Sequence, residues 1–156
     1  MSYRNVYISP IGPLVITIEN GYITGMSLDM EKKEELYKNL FPLIFEVRKQ
    51  LDEYFANTRT TFNLPIKFTS GTPFQQSVWN ALRDIPHGET RSYEDIAIAI
   101  GNPKAVRAIG QANTRNPILL LVPCHRVINK NGTIGGFGCG VEVKRKLLEL
   151  EGVTVK

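Results

Sequence analysis

Ser92-Tyr93-Glu94-Asp95-Ile96-Ala97-Ile98-Ala99-Ile100-Gly101-Asn102-Pro103-Lys104-Ala105-Val106-Arg107-Ala108-Ile109-Gly110 decides how the second half of this chain folds. Ser92 followed three residues later by Asp95 has the form of a capping box, and Ile96, Ala97 and Ile100 give that helix an apolar stripe that ends at Gly101. Asn102 then caps a further helix, with Pro103 at its first position and Val106, Ile109 and Gly110 facing inward. Two short helices joined through Gly101-Asn102 read as a helix-turn-helix. In that motif the second helix enters a groove of DNA while its first amides and basic side chains meet phosphates, and Lys104, Arg107 and Arg115 are suitably placed for this. A plain helical corner with solvated arginines fits the same pattern.

Upstream, Thr72-Pro73-Phe74-Gln75 combines an N-cap, a proline at the first helical position and a glutamine at the third, so a helix should run from there to about Ile85. Downstream, Pro123-Cys124-His125-Arg126 follows an apolar, strand-like run from Pro117. It places a thiol, nucleophilic as its thiolate, beside an imidazole that could raise the thiolate fraction. A buried, inert cysteine is the alternative, since free cysteine is among the most buried residue types. Five glycines among residues 132–140 then build a shaped loop that could form a pocket wall, or equally a mobile surface loop. A last helix is expected from about Val141 to Leu150.

The first part reads as strands and then helices. Val6–Ile8, Leu14–Ile18 and Tyr22–Leu28 alternate, and Asn20-Gly21 between two of them is a strong hairpin signal. Helical spacing runs from Glu31 to Leu40, Pro42 interrupts it, and Leu43 to Phe55 continues as an amphipathic helix. Its carboxylates, Glu34, Glu35, Asp52 and Glu53, are interspersed with lysines as on solvated helix faces, so residues 1–69 are expected to be a scaffold domain and residues 70–156 the functional one.

At 156 residues the chain can bury a real core. Residues 1–69 hold 8 Lys+Arg against 8 Asp+Glu and residues 70–156 hold 11 against 7, so the whole formal charge of +4 lies with the cysteine and the helix-turn-helix. That excess suits phosphate but is slight evidence alone. Cys124 and Cys139 are too few for a disulfide framework, and no charged-then-apolar leader opens the sequence, so an intracellular, cytoplasmic location is expected. Nothing approaches the ~18 apolar residues of a membrane span, and no membrane role is expected.

Taken together, Pro123-Cys124-His125-Arg126-Val127-Ile128, Gly101 to Gly110, Ser92-Tyr93, Asn116-Pro117 and Leu147-Leu148-Glu149-Leu150-Glu151-Gly152 resemble the O6-alkylguanine-DNA alkyltransferases in order and spacing. The match covers about residues 72 to 152. The resemblance implies an α+β protein: a strand-rich, ribonuclease-H-like amino-terminal domain, then a mostly helical domain carrying the helix-turn-helix and the reactive cysteine. It implies a monomer that rotates O6-alkylguanine out of duplex DNA and moves the alkyl group irreversibly onto Cys124, with neither metal nor organic cofactor.

By the same resemblance His125 is the base acting through a water, Glu151 orients it, and Tyr93 donates to the departing guanine, although a core aromatic at the start of a helix is the plain alternative for Tyr93. Backbone groups of Val127 and Gly138, with Lys144 and Phe137, line the guanine pocket; Arg107 is assigned to filling the gap or holding the extrahelical state, with a phosphate contact or a surface salt bridge as its competing role, and Asn116 is expected to be a structural hinge. Arg126 is a salt-bridge partner. Phe137 stands where the family often has tyrosine, so one hydroxyl is missing, and Cys139 stands where a small residue is usual. A non-catalytic lesion-binding protein, a thiol hydrolase that turns over and a helix-turn-helix regulator are the competing readings; retention of Cys124 argues against the first.

Overall fold

The computed structural model describes residues 2–33 and 42–156. It divides into two compact units, Met1–Thr69 with Pro117–Leu119, and Ser70–Asn116 with Leu120–Lys156. The helical run expected around Glu34, Glu35 and Leu40 falls mostly outside the described residues.

In the first unit β1 (Ser2–Ser9), β2 (Gly12–Glu19) and β3 (Tyr22–Leu28) form an antiparallel meander. Asn20 and Gly21 both take positive φ, 51° and 82°, the requirement of the tight turn that their sequence predicts. From Leu14 onward alternation does what period two dictates: Leu14, Ile16 and Ile18 are buried while Val15, Thr17 and Glu19 are not. The outer edge of β3 is covered rather than left open. Ile23 exchanges backbone hydrogen bonds with Pro65 and Lys67, and Met26 does so with Pro117 and Leu119. Helix α1 (Pro42–Phe55) buries Ile44, Val47, Leu51 and Tyr54 along one stripe. Pro42 is the first described residue of this helix.

The second unit holds α2 (Pro73–Leu82), β4 (Arg91–Ser92), α3 (Tyr93–Ala99), α4 (Val106–Thr114), a 3₁₀ turn (Cys124–Arg126), β5 (Val127–Ile128) and α5 (Val141–Leu150). Both expected capping boxes form, Thr72 with Gln75 and Ser92 with Asp95. Three expectations are corrected. Helix α2 stops at Leu82, because Pro86 disfavours helical backbone at Ile85. Helix α4 starts at Val106: Ala105 N–H donates to Asn102 O, making residues 102–105 a turn in which Pro103 holds the second position. Val106, at its first position, is exposed, whereas Ile109 points inward as expected and Ala112 and Asn113 join it. Finally, the apolar run before Cys124 is not a strand leading to it. Leu120 takes φ 73°, and Cys124 opens the 3₁₀ turn.

Candidate active site

A 3₁₀ turn rotates successive side chains by about 120°. Cys124, His125 and Arg126 therefore address three directions from one tight bend, and all three are buried. Arg126 N–H donates to Pro123 O at 3.0 Å to close the turn. Asn113 Nδ2 donates to the Cys124 carbonyl at 3.2 Å, and Asn116 Nδ2 donates to Val122 O at 2.7 Å. The Asn116 side chain also hydrogen-bonds the sulfur. The expected hinge residue thus fixes both the approach to Cys124 and its thiol.

Burial pushes the Cys124 thiol up to about 12, against the opposing pull of the Asn116 hydrogen bond and the Lys144 ammonium. The thiol is accordingly protonated at rest. A nucleophile in that state needs a base at the moment of reaction.

The adjacent residue, His125, is an imidazole. Its Nε2 lies 2.7 Å from Glu151 Oε2, and its Nδ1 makes no hydrogen bond among the described residues. Burial lowers the imidazole's affinity for a proton more than Glu151 raises it, so the ring is neutral. Burial alone would push the Glu151 carboxyl up, but hydrogen bonds and charge from His125 and Arg126 outweigh it and hold the group well below the usual carboxylate range. An ionised Glu151 only accepts hydrogen bonds. The ring proton therefore sits on Nε2 and the lone pair on Nδ1.

Arg126 grips the same carboxylate, Nε at 2.8 Å from Oε1 and an Nη at 3.1 Å from Oε2, while its other Nη donates to Ile85 O at 2.7 Å. Gly88 N–H adds a bond to Oε1 at 3.3 Å.

The glycine-rich loop supplies a second wall. Lys144 Nζ, fully buried on α5, donates to Gly136 O at 3.1 Å, and Tyr93 Oη donates to the same carbonyl at 3.5 Å. The ammonium lies 5.9 Å from the Tyr93 ring centre and 6.0 Å from that of Phe137. Burial lowers Lys144 to about 8, and burial raises the Tyr93 phenol, as does its exposure to charge on Cys124. Val127 is buried, and a Cβ at Gly138 would stand 3.2 Å from Thr114 O, so the loop runs close against the end of α4.

Cys124, His125, Glu151, Asn116 and Lys144 are thus brought together, with Tyr93 and Phe137 around Lys144. Lys104, Arg107 and Arg115 lie exposed on and beside α4 and make no contact with that cluster among the described interactions. Asn113 is a site residue that the sequence reading missed. Its signal was present: an amide on the same helical stripe as Ile109 and Ala112 has to find a buried partner. Among the described residues no group of three or more His, Cys, Asp or Glu could hold a metal ion.

Residues 73–153 match the family model described as 6-O-methylguanine DNA methyltransferase, DNA binding domain, and residues 2–68 match the ribonuclease-like domain of the same family. The chain belongs to that family. Among its relatives, the constitutive methylated-DNA–protein-cysteine methyltransferase of Bacillus subtilis is 47% identical over 100% of this chain and 99% of its own length. That of Methanosarcina acetivorans is 43% identical over 96% of this chain and 98% of its own. The crystal structure of Mycobacterium tuberculosis O6-methylguanine methyltransferase superposes with TM-score 0.83 at 42% identity, covering 97% of this chain and 93% of that one. Mycobacterium tuberculosis OGT in complex with DNA gives TM-score 0.84 at 44% identity, covering 95% and 91%. The α+β architecture of the methyltransferase family, with its ribonuclease-like and DNA-binding parts, is therefore the fold of this chain. No described helix is long and apolar enough to cross a membrane.

Proposed function

We propose that this chain repairs DNA by taking the alkyl group from O6 of guanine onto the sulfur of Cys124, once per molecule, and that residues 70–156 carry the reaction. The observation that supports this best is a buried thiol next to a neutral imidazole whose Nδ1 is held ready by an ionised carboxylate. The Cys124 proton passes through one water to Nδ1 as the S–C bond forms and the C–O6 bond breaks. The guanine anion left behind takes the phenolic proton of Tyr93. Lys144 favours the thiolate while it exists, and Val127, Gly138 and Phe137 bound the guanine.

Such chemistry cannot reach a stacked base, so the guanine is rotated out at a cost of a few kcal/mol. Helix α4 meets the duplex, with Lys104 and Arg115 on phosphates and Arg107 holding the extrahelical state. The protein acts as a monomer in the cytoplasm, and its partner is double-stranded DNA carrying O6-alkylguanine.

The test is intact mass with peptide mapping after incubation with a duplex containing one O6-methylguanine. One methyl group on Cys124, saturating at one per protein, supports the proposal. An unmodified protein with the lesion gone would mean turnover, and an unmodified protein with intact lesion would mean binding alone.

A further inference from the structure

We infer that Arg126, acting through Glu151, keeps His125 neutral with its proton on Nε2, and so is a positioning residue for alkyl transfer. The inference rests on the proposed transfer to Cys124. Its ground is geometric. Arg126 meets Glu151 with two parallel N–H···O bonds, 2.8 and 3.1 Å, in a place where the Glu151 side chain is fully buried. Its remaining nitrogen is fixed on Ile85 O, so the fork cannot turn away.

Glu151 meets two cationic candidates, a guanidinium that is always charged and an imidazole that need not be. One carboxylate neutralises one cation. A second positive charge on His125 would be buried without compensation, which is strongly disfavoured.

The other charges around His125 act in the same sense. Lys144 on α5 adds a positive charge that opposes ring protonation, and the adjacent Cys124 is a neutral thiol at rest. His87 immediately precedes Gly88, whose N–H also binds Glu151. Without Arg126, His125 would be the cationic partner left to Glu151 among the described ion pairs. An imidazolium–carboxylate pair would then form, and Nδ1 would carry a proton and no longer accept one from the thiol.

The experiment pairs nitrogen-15 NMR of the histidine rings with single-turnover transfer rates across pH, in the full-length protein and in Arg126→Gln and Arg126→Lys. The chain has two histidines, so His87→Gln assigns the signals. Wild-type His125 should be neutral with Nε2 protonated from about pH 8 down to about pH 6, below the ordinary midpoint. Arg126→Gln should bring its titration up into the neutral range and give transfer an acid limb, with roughly tenfold loss per pH unit below it and recovery at high pH. Arg126→Lys should restore the neutral ring.

A charged ring at pH 6.5 in the wild type, or a proton on Nδ1, would overturn the inference. So would an Arg126→Gln protein slowed by the same factor at every pH, since that is the mark of a merely structural residue. If Arg126→Gln fails to fold, the wild-type spectrum and Arg126→Lys still decide. If Cys124 acquires no alkyl group in the wild type, the proposed function falls while the NMR result stands independently.

Discussion

In the proposed reaction Cys124 attacks carbon, yet it is held as a thiol, pushed up to about 12 by burial. That disposition makes sense only if ionisation and attack are one event, with the proton leaving for His125 as the carbon arrives. Cys124→Ser should therefore abolish transfer and leave DNA affinity unchanged, measured by adduct mass and by duplex titration. Lys144 makes a sharper case. Burial lowers it to about 8, so the ammonium that steadies the developing thiolate is present below that pH and lost above it. Transfer should decline above about pH 8, and Lys144→Arg should move that decline out of range. Stability follows the opposite sign. The folded chain binds fewer protons than the unfolded one between about 8 and about 10.4, so this residue's contribution to stability improves as pH rises through that window. At neutral pH Lys144 is a burden on the fold, and Lys144→Met should raise the melting temperature while lowering transfer. A lower melting temperature for Lys144→Met would show that its bond to Gly136 O outweighs the burial of its charge.

Among the elements, α4 and the glycine-rich loop carry the specificity of the proposal. Arg107→Ala should slow repair of duplex DNA much more than reaction with a free alkylated base, because only the duplex has to give up a stacked guanine. Lys104→Ala should weaken binding to all sequences and reduce the slope of log affinity against log salt by about 1. In the loop, Gly135 has φ 74° and a Cβ there would stand 3.2 Å from Tyr93 Oη. Gly135→Ala should lose about 1–3 kcal/mol of stability from backbone strain and displace the phenol, so chemical denaturation and transfer rate should fall together. What the sequence made legible was local in kind. Capping boxes at Thr72 and Ser92, the Asn20-Gly21 turn and the period-two alternation of β2 each depend on residues within a few positions of one another. The start of α4 misled because Asn102-Pro103 is a good cap and equally a good turn, and Ala105 N–H decides between them. The 3₁₀ turn at Cys124 has no propensity signature; an apolar run reads as a strand whether or not it turns. Residue matching paired His125 with Glu151, but the grip of Arg126 on that carboxylate joins residues 25 apart and needed the fold to bring it out.

At the scale of the whole molecule the proposed reaction changes the protein permanently, and its stability is where that change should show. Cys124 is only 3% exposed, and its sulfur sits against Asn116 with Lys144 near enough to feel its charge. A methyl group added there enters a close-packed region, and overpacking of this kind costs about 1–3 kcal/mol. For a chain of this size each kcal/mol moves the melting temperature by about 2–4 °C, so the methylated protein should melt about 2–12 °C below the unmodified one. Calorimetry on the two forms, prepared with the same duplex and separated from it, measures the difference directly. A benzyl adduct should lower the transition further if the wall formed by Gly136, Phe137 and Gly138 is as rigid as its contacts with Tyr93, Lys144 and Thr114 suggest. An equal or higher melting temperature for the methylated form would mean that the space beside Cys124 is built to keep the alkyl group as well as to receive it.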